Sequence, residues 1–129
     1  MMHFLRYWMP VVVLCGAIFI QSAFPVPGVF PVFAWSDKLL HVSVYGLLGA
    51  LFCRAFNAPG CWNGHWRKVW LAAVAAATLY GLSDEWHQYF VAERSAEWAD
   101  VMADFAGSAV GSALFLIGLR HVDSRSARS

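Results

Sequence analysis

The chain has 129 residues, 60% of them hydrophobic and only 13% charged, with a mean hydropathy of +0.54. Soluble domains average about 45–50% apolar and about 25% charged residues, so this balance excludes a disordered chain and an ordinary soluble domain. The formal net charge of +1 leaves no basic stripe for nucleic acid, and three cysteines, an odd number, make no disulfide scaffold. A small integral membrane protein remains.

Taken in chain order, the apolar residues form four blocks at 5–23, 39–56, 69–82 and 101–119. A spanning helix needs about 20 mainly apolar residues, which the first, second and fourth supply. The third reaches that length if it continues through its polar tail, 83–88. Tyr80, Asp84 and Gln88 then share one helix face at i, i+4 spacing. Arg6 before the apolar stretch of the first block resembles the start of a signal peptide. Gln21-Ser22-Ala23 puts a bulky polar residue where cleavage wants a small one, so an uncleaved helix is expected. Pro25, Pro27, Gly28 and Pro31 predict a non-helical loop over 24–35 at the membrane surface, and Pro59, Gly60 and Gly64 predict a second over 57–66. The organisation expected is a single domain over 1–120 and a short, frayed, Ser/Arg-rich tail over 121–129.

Charge separates by loop. Arg6, Arg54, Arg67, Lys68, Arg120, Arg125 and Arg128, seven of the nine basic residues, fall at one set of helix ends with Asp123 as the only acid. Lys38 and Arg94 fall at the other, among Asp37, Asp84, Glu85, Glu93, Glu97, Asp100 and Asp104. The positive-inside rule then puts both termini in the cytoplasm. Trp8, Trp62, Trp66 and Trp70 flank the cytoplasmic ends and Trp35, Trp86 and Trp98 the outer ends, as an interface belt. Cys53 and Cys61 fall on the reducing side, and Cys15 lies within the first helix; all three are expected to be free thiols. The fold expected is an all-α membrane protein of four transmembrane helices, multi-pass in a bacterial cytoplasmic (inner) membrane.

Ionisable side chains inside spans are costly and mark function or buried pairing. Asp37, His41 and Tyr45 recur every four residues, and a rise of 1.5 Å per residue puts His41 about 6 Å and Tyr45 about 12 Å below Asp37. Gly46 and Gly49 follow, allowing close approach of a neighbouring helix. Asp84, Glu85 and Gln88 end the third helix. Asp100, Asp104, Gly107 and Gly111 form one polar-then-small face on the fourth. The last two make a GxxxG pair, suited equally to packing within one chain and to a homo-oligomer. All three polar ends fall on the outer side, which proposes one acidic site open to the exterior with His41 and Tyr45 as its floor.

The run Asp37-Lys38-x-x-His41-x-x-x-Tyr45-x-x-Leu48-Gly49 resembles the opening signature of VanZ-like membrane proteins. Asp84-Glu85-x-x-Gln88-x-Phe90-Val91-x-x-Arg94-Ser95, followed by Asp100, Asp104, Gly107 and Gly111, is similar to the remainder. Ala92-Glu93 stands where that family often has Pro-Gly, and Asp104 where it often has Asn. The resemblance implies a multi-spanning membrane protein, linked in the founding member to lowered susceptibility to the glycopeptide teicoplanin. It implies no particular reaction.

Two functional readings follow. In the first, the site binds a lipid headgroup, a cell-envelope precursor or a lipoglycopeptide, with Arg94 forking onto an anionic group. Its binding set is Asp37, Lys38, His41, Tyr45, Asp84, Glu85, Gln88, Arg94, Ser95, Asp100 and Asp104. In the second, an acid–base enzyme modifies such a lipid or precursor, with Glu85 or Asp84 as general acid or base, His41 as partner, and Lys38 and Arg94 holding a phosphate. A purely structural role as ion pairs at helix ends accounts for Glu93, Glu97 and Asp37 but not for His41 and Tyr45 at depth. Asp, Glu and His here include donors suited to Mg²⁺ or Ca²⁺, yet no compact His/Cys spacing singles out zinc. Neither a metal nor a cofactor is expected.

Overall fold

The structure, a computed structural model, describes residues 2–24, 36–59, 61–62, 64–91 and 96–126. Four helices account for nearly all of them: α1 (Met2–Ser22), α2 (Ser36–Phe56), α3 (Trp66–Gln88) and α4 (Trp98–Ser126). Long uninterrupted helices are what such apolar runs dictate, because only internal hydrogen bonding satisfies a backbone removed from water. Asp37 in the first turn of α2 and Asp100 in the first turn of α4 offset the positive ends of those helix dipoles, and Arg54 and Arg125 complement the last turns. Between α2 and α3 the chain turns through Gly64, whose φ of 82° favours a residue without a Cβ.

The side-chain contacts set the helix directions. Ser22 at the end of α1 meets Asp84 at the end of α3, while Lys38 at the start of α2 meets Asp100 at the start of α4. At the opposite end Arg54 donates to the carbonyl of Arg6 at 3.1 Å, and the Arg120 guanidinium lies 4.5 Å from the Trp66 ring. The helices therefore alternate up, down, up, down. One end of the bundle collects the basic residues, and the other collects the acids.

Among the described residues, three helices are long and apolar enough to cross a membrane, over Phe4–Ser22, Asp37–Phe56 and Trp98–Val122. The expected fourth span, α3, is not among them. Its 23 residues reach about 35 Å at 1.5 Å each, but Arg67, Lys68, Asp84 and Glu85 crowd its ends and alanines fill its middle, which dilutes its hydropathy. One other expectation changes. α4 does not end near Arg120 but continues to Ser126, and the proline-rich part of the first loop, 25–35, lies outside the described residues.

The outer surface of the bundle is apolar in the manner of a membrane protein, and polar side chains share its interior with the apolar core. Val12, Val13, Ile20, Leu79, Leu114 and Ile117 point outward, while Asp84, Glu85, Asp100, Asp104, Ser108 and Ser112 are buried. Where helices pack without a hydrophobic driving force, close backbone approach takes its place. α2 and α4 are the most extensively packed pair. Gly107 and Gly111 lie against the backbone of Val42 and Gly46, and a Cβ added at Gly49 would come within 2.6 Å of the Ser108 carbonyl oxygen. The GxxxG pair of α4 is thus used within one chain.

Candidate functional site

Polar side chains from all four helices converge at the acidic end. The α2 stripe descends as its spacing requires: the side chain of Asp37 is 58% exposed, that of His41 13%, and Tyr45 2%. Lys38, beside the stripe, forms ion pairs with Glu97 (2.8 Å), Asp37 (3.6 Å) and the buried Asp100. One ammonium thus ties the start of α2 to the start of α4.

A turn deeper, His41 Nδ1 donates to Oδ1 of the fully buried Asp104 at 2.8 Å. The carboxylate fixes the imidazole's orientation and tautomer, leaving Nε2 as its other functional atom. The His41 ring stacks parallel to Tyr45 with centroids 6.0 Å apart. Gly81 of α3 makes room for this arrangement, because a Cβ there would collide with the Asp104 carboxylate.

On the α3 side, Oδ2 of Asp84 accepts from Ser22 Oγ at 2.8 Å and from Gln88 Nε2 at 3.1 Å. Oε2 of Glu85 accepts from the backbone N–H of Glu97 at 3.0 Å, joining the end of α3 to the approach to α4. The expected face of Tyr80, Asp84 and Gln88 turns toward α1, where the Tyr80 hydroxyl also donates to the Cys15 carbonyl at 2.5 Å. His87, one position off that face, also meets α1, stacking on Phe19 at 4.6 Å.

Buried polar atoms are nearly always paired. At this end Tyr45 OH, Asp84 Oδ1, Glu85 Oε1 and Asp104 Oδ2 are buried without a hydrogen-bond partner among the described residues. Asp37, His41 and Asp100 also bring ligand atoms within 4.8 Å of one another. The Lys38 ammonium, paired with both acids, already supplies that group with a cation.

Two cavities flank the cluster. One, of about 200 Å³, lies between α1 and α2, with Leu14, Ala17, Ile18, Leu40 and Val44 in its walls and His41, Tyr45 and Asp84 among its lining. The other, of about 610 Å³, is a groove between the end of α3 and the start of α4, where Glu85 meets Trp86, Tyr89, Phe90 and Trp98. Trp86 and Trp98 are more than 70% exposed, as rings of an interface belt would be.

The profile of the VanZ/LLP1 family matches residues 7–119, the whole bundle from the first helix to the last turns of the fourth. The chain belongs to the VanZ/LLP1 family. No curated protein and no solved structure matches it. Among the expected site residues of this VanZ/LLP1 chain, the structure brings together Asp37, Lys38, His41, Tyr45, Asp84, Glu85, Gln88, Asp100 and Asp104. Arg94 and Ser95 lie outside the described residues.

Three contributors were not legible as site residues. Ser22 follows an apolar run and shows its role only by facing Asp84 from another helix. Glu97, which sequence alone makes an edge charge, pairs with Lys38 and caps Glu85 through its N–H. Gly81 is a lone glycine whose use appears only when Asp104 is packed on it. The polarity of Ser22 at the very end of an apolar helix was the one available clue.

Proposed function

We propose that this VanZ/LLP1 protein lies in the bacterial cytoplasmic membrane with both termini in the cytoplasm. Its acidic site opens at the outer leaflet and binds the polar group of a lipid or a cell-envelope intermediate. The α1–α2 cavity carries this reading: apolar walls end on a polar lining of His41, Tyr45 and Asp84, the division an amphiphile requires. On the same reading α3 crosses as well, returning the chain from the end of α2 to the start of α4 with its acids turned inward. Altered susceptibility to lipid-bearing glycopeptides would follow from capture of the envelope intermediate or of the drug.

Topology is tested by a reporter active only outside the cytoplasm. Inserted after Phe24 it is expected to give full activity, and inserted after Asn57 none; the reverse pattern would overturn the orientation. Binding is tested by native mass spectrometry of protein released gently from membranes. The wild type is expected to carry an envelope amphiphile. Ala17→Trp, which fills the cavity from its exposed mouth, is expected to lose it. A wild-type protein free of any such adduct, unable to take one up from a lipid extract, would end the reading.

One observation favours a second reading, a membrane-embedded acid–base enzyme. The 2.8 Å bond from His41 to a buried carboxylate is the arrangement that holds an imidazole ready to take a proton. Glu85 and Asp84 would supply the complementary acid or base. A mass change in an envelope lipid incubated with wild type but not with His41→Gln would select this reading. Unchanged lipids would leave binding alone.

A further inference from the structure

We infer that the α1–α2 cavity receives a primary ammonium, the polar end of a membrane amphiphile, held by Asp84 with Tyr45 beside it. The inference rests on the amphiphile-binding reading above and names the chemistry of the group bound. Three observations carry it.

The first is the balance of charge. Among the described residues, the acidic end holds Asp37, Asp84, Glu85, Glu97, Asp100 and Asp104, with Lys38 as its permanent cation. Lys38 is already engaged by Asp37, Glu97 and Asp100. An anionic headgroup entering the cavity would meet Asp84 with no permanent cation among the described lining residues, and His41, which also lines it, has its Nδ1 committed to Asp104.

The second is the pair of orphaned atoms. Asp84 is 5% exposed and Tyr45 2%, both line the cavity, and Asp84 Oδ1 and Tyr45 OH are buried without hydrogen-bond partners among the described residues. The other Asp84 oxygen is occupied by Ser22 and Gln88, which fix the carboxylate and leave Oδ1 as its remaining acceptor. A carboxylate oxygen accepts and does not donate. The ligand group must therefore bring N–H or O–H donors, and a positively charged donor makes the stronger bond. A primary ammonium has three N–H bonds, enough for both atoms. A quaternary ammonium has none.

The third is shape. A volume of about 200 Å³ exceeds what one water needs and accommodates an aminoethyl group with its first neighbours. Ala17 and Leu40 at the exposed rim, with Leu14, Ile18 and Val44 inside, give the attached methylenes an apolar path outward.

The test is a native-mass-spectrometry titration of the full chain with lipids of identical acyl chains. Phosphatidylethanolamine is expected to bind about tenfold more tightly than its N-acetylated form, phosphatidylcholine or phosphatidylglycerol. Asp84→Asn should abolish that preference, and Ala17→Trp, which leaves the acids intact, should block binding. Glycerophosphoethanolamine, the same headgroup without chains, is expected not to compete. Its competition at equal concentration would make the ligand a soluble amine and overturn the amphiphile. Phosphatidylglycerol bound as tightly as phosphatidylethanolamine, and still blocked by Ala17→Trp, would overturn the ammonium while keeping the lipid pocket. Binding of no lipid by a folded wild type would overturn both.

Discussion

Gly111→Ala is expected to destabilise the protein by about 2 kcal/mol, although alanine is the better helix former by about 1 kcal/mol. The new methyl would strike the backbone of Gly46, which has no side-chain end to rotate aside. Relief requires α2 and α4 to separate, and the two share the most extensive interface in the molecule. Gly118→Ala on the same helix is the internal control. Nothing lies within 4 Å of the added carbon there, so helix propensity alone acts and the change is neutral or stabilising. Thermal unfolding in one detergent compares the two. Equal effects at both positions would mean that glycine contact does not hold the α2–α4 pair.

The second large effect is expected at Asp104, where the nature of the replacement matters more than its size. Asp104→Leu removes the acceptor from His41 Nδ1 and leaves a half-buried imidazole without its partner, a loss of about 3 kcal/mol. Asp104→Asn keeps an oxygen at the same place to accept the same hydrogen and removes one charge from a crowded cluster. Its cost is expected to be about 1 kcal/mol or less. Unfolding midpoints rank the variants, and ¹⁵N chemical shifts of the His41 ring report whether Nδ1 keeps its proton. If Asn and Leu are equally damaging, the carboxylate's charge rather than the hydrogen bond to His41 is what the fold needs.

Four helices with polar faces at one end were legible in the sequence, because helical spacing is a local property. Asp37, His41 and Tyr45 fall on one stripe whatever surrounds them, and their graded burial follows from a rise of 1.5 Å per residue. α3 was legible as a helix for the same reason. Its hydropathy gives no such support, because residues that face other helices need not be apolar. The tail beyond Arg120 was misjudged from its serines and arginines: exposed helix tolerates them, and α4 runs on to Ser126.

Pairing was not legible. By sequence Lys38 shares its end with seven acids, and only the parallel course of α2 and α4 selects Glu97 and Asp100 as partners across the bundle. Ser22 is separated from Asp84 by 62 residues in sequence, the whole of α2 among them, and by 2.8 Å in space. Whether Gly107 and Gly111 meet their own chain or another depends on which way that face turns, and the glycines of α2 settle it by admitting them.

The net charge of +1 illustrates the division. Its resolution into a basic end and an acidic end was determined by the sequence alone, because helix ends and loops are local features and each charge is assigned to the nearest one. What those acids do was decided only by tertiary structure. The packing of α2 against α4 commits Lys38 to Asp100 and His41 to Asp104. The approach of α1 ties up one oxygen of Asp84. Asp84 Oδ1 and Tyr45 OH are left buried beside a cavity, and how far such an atom lies from the nearest donor is set by helix packing, which no pattern along the chain encodes.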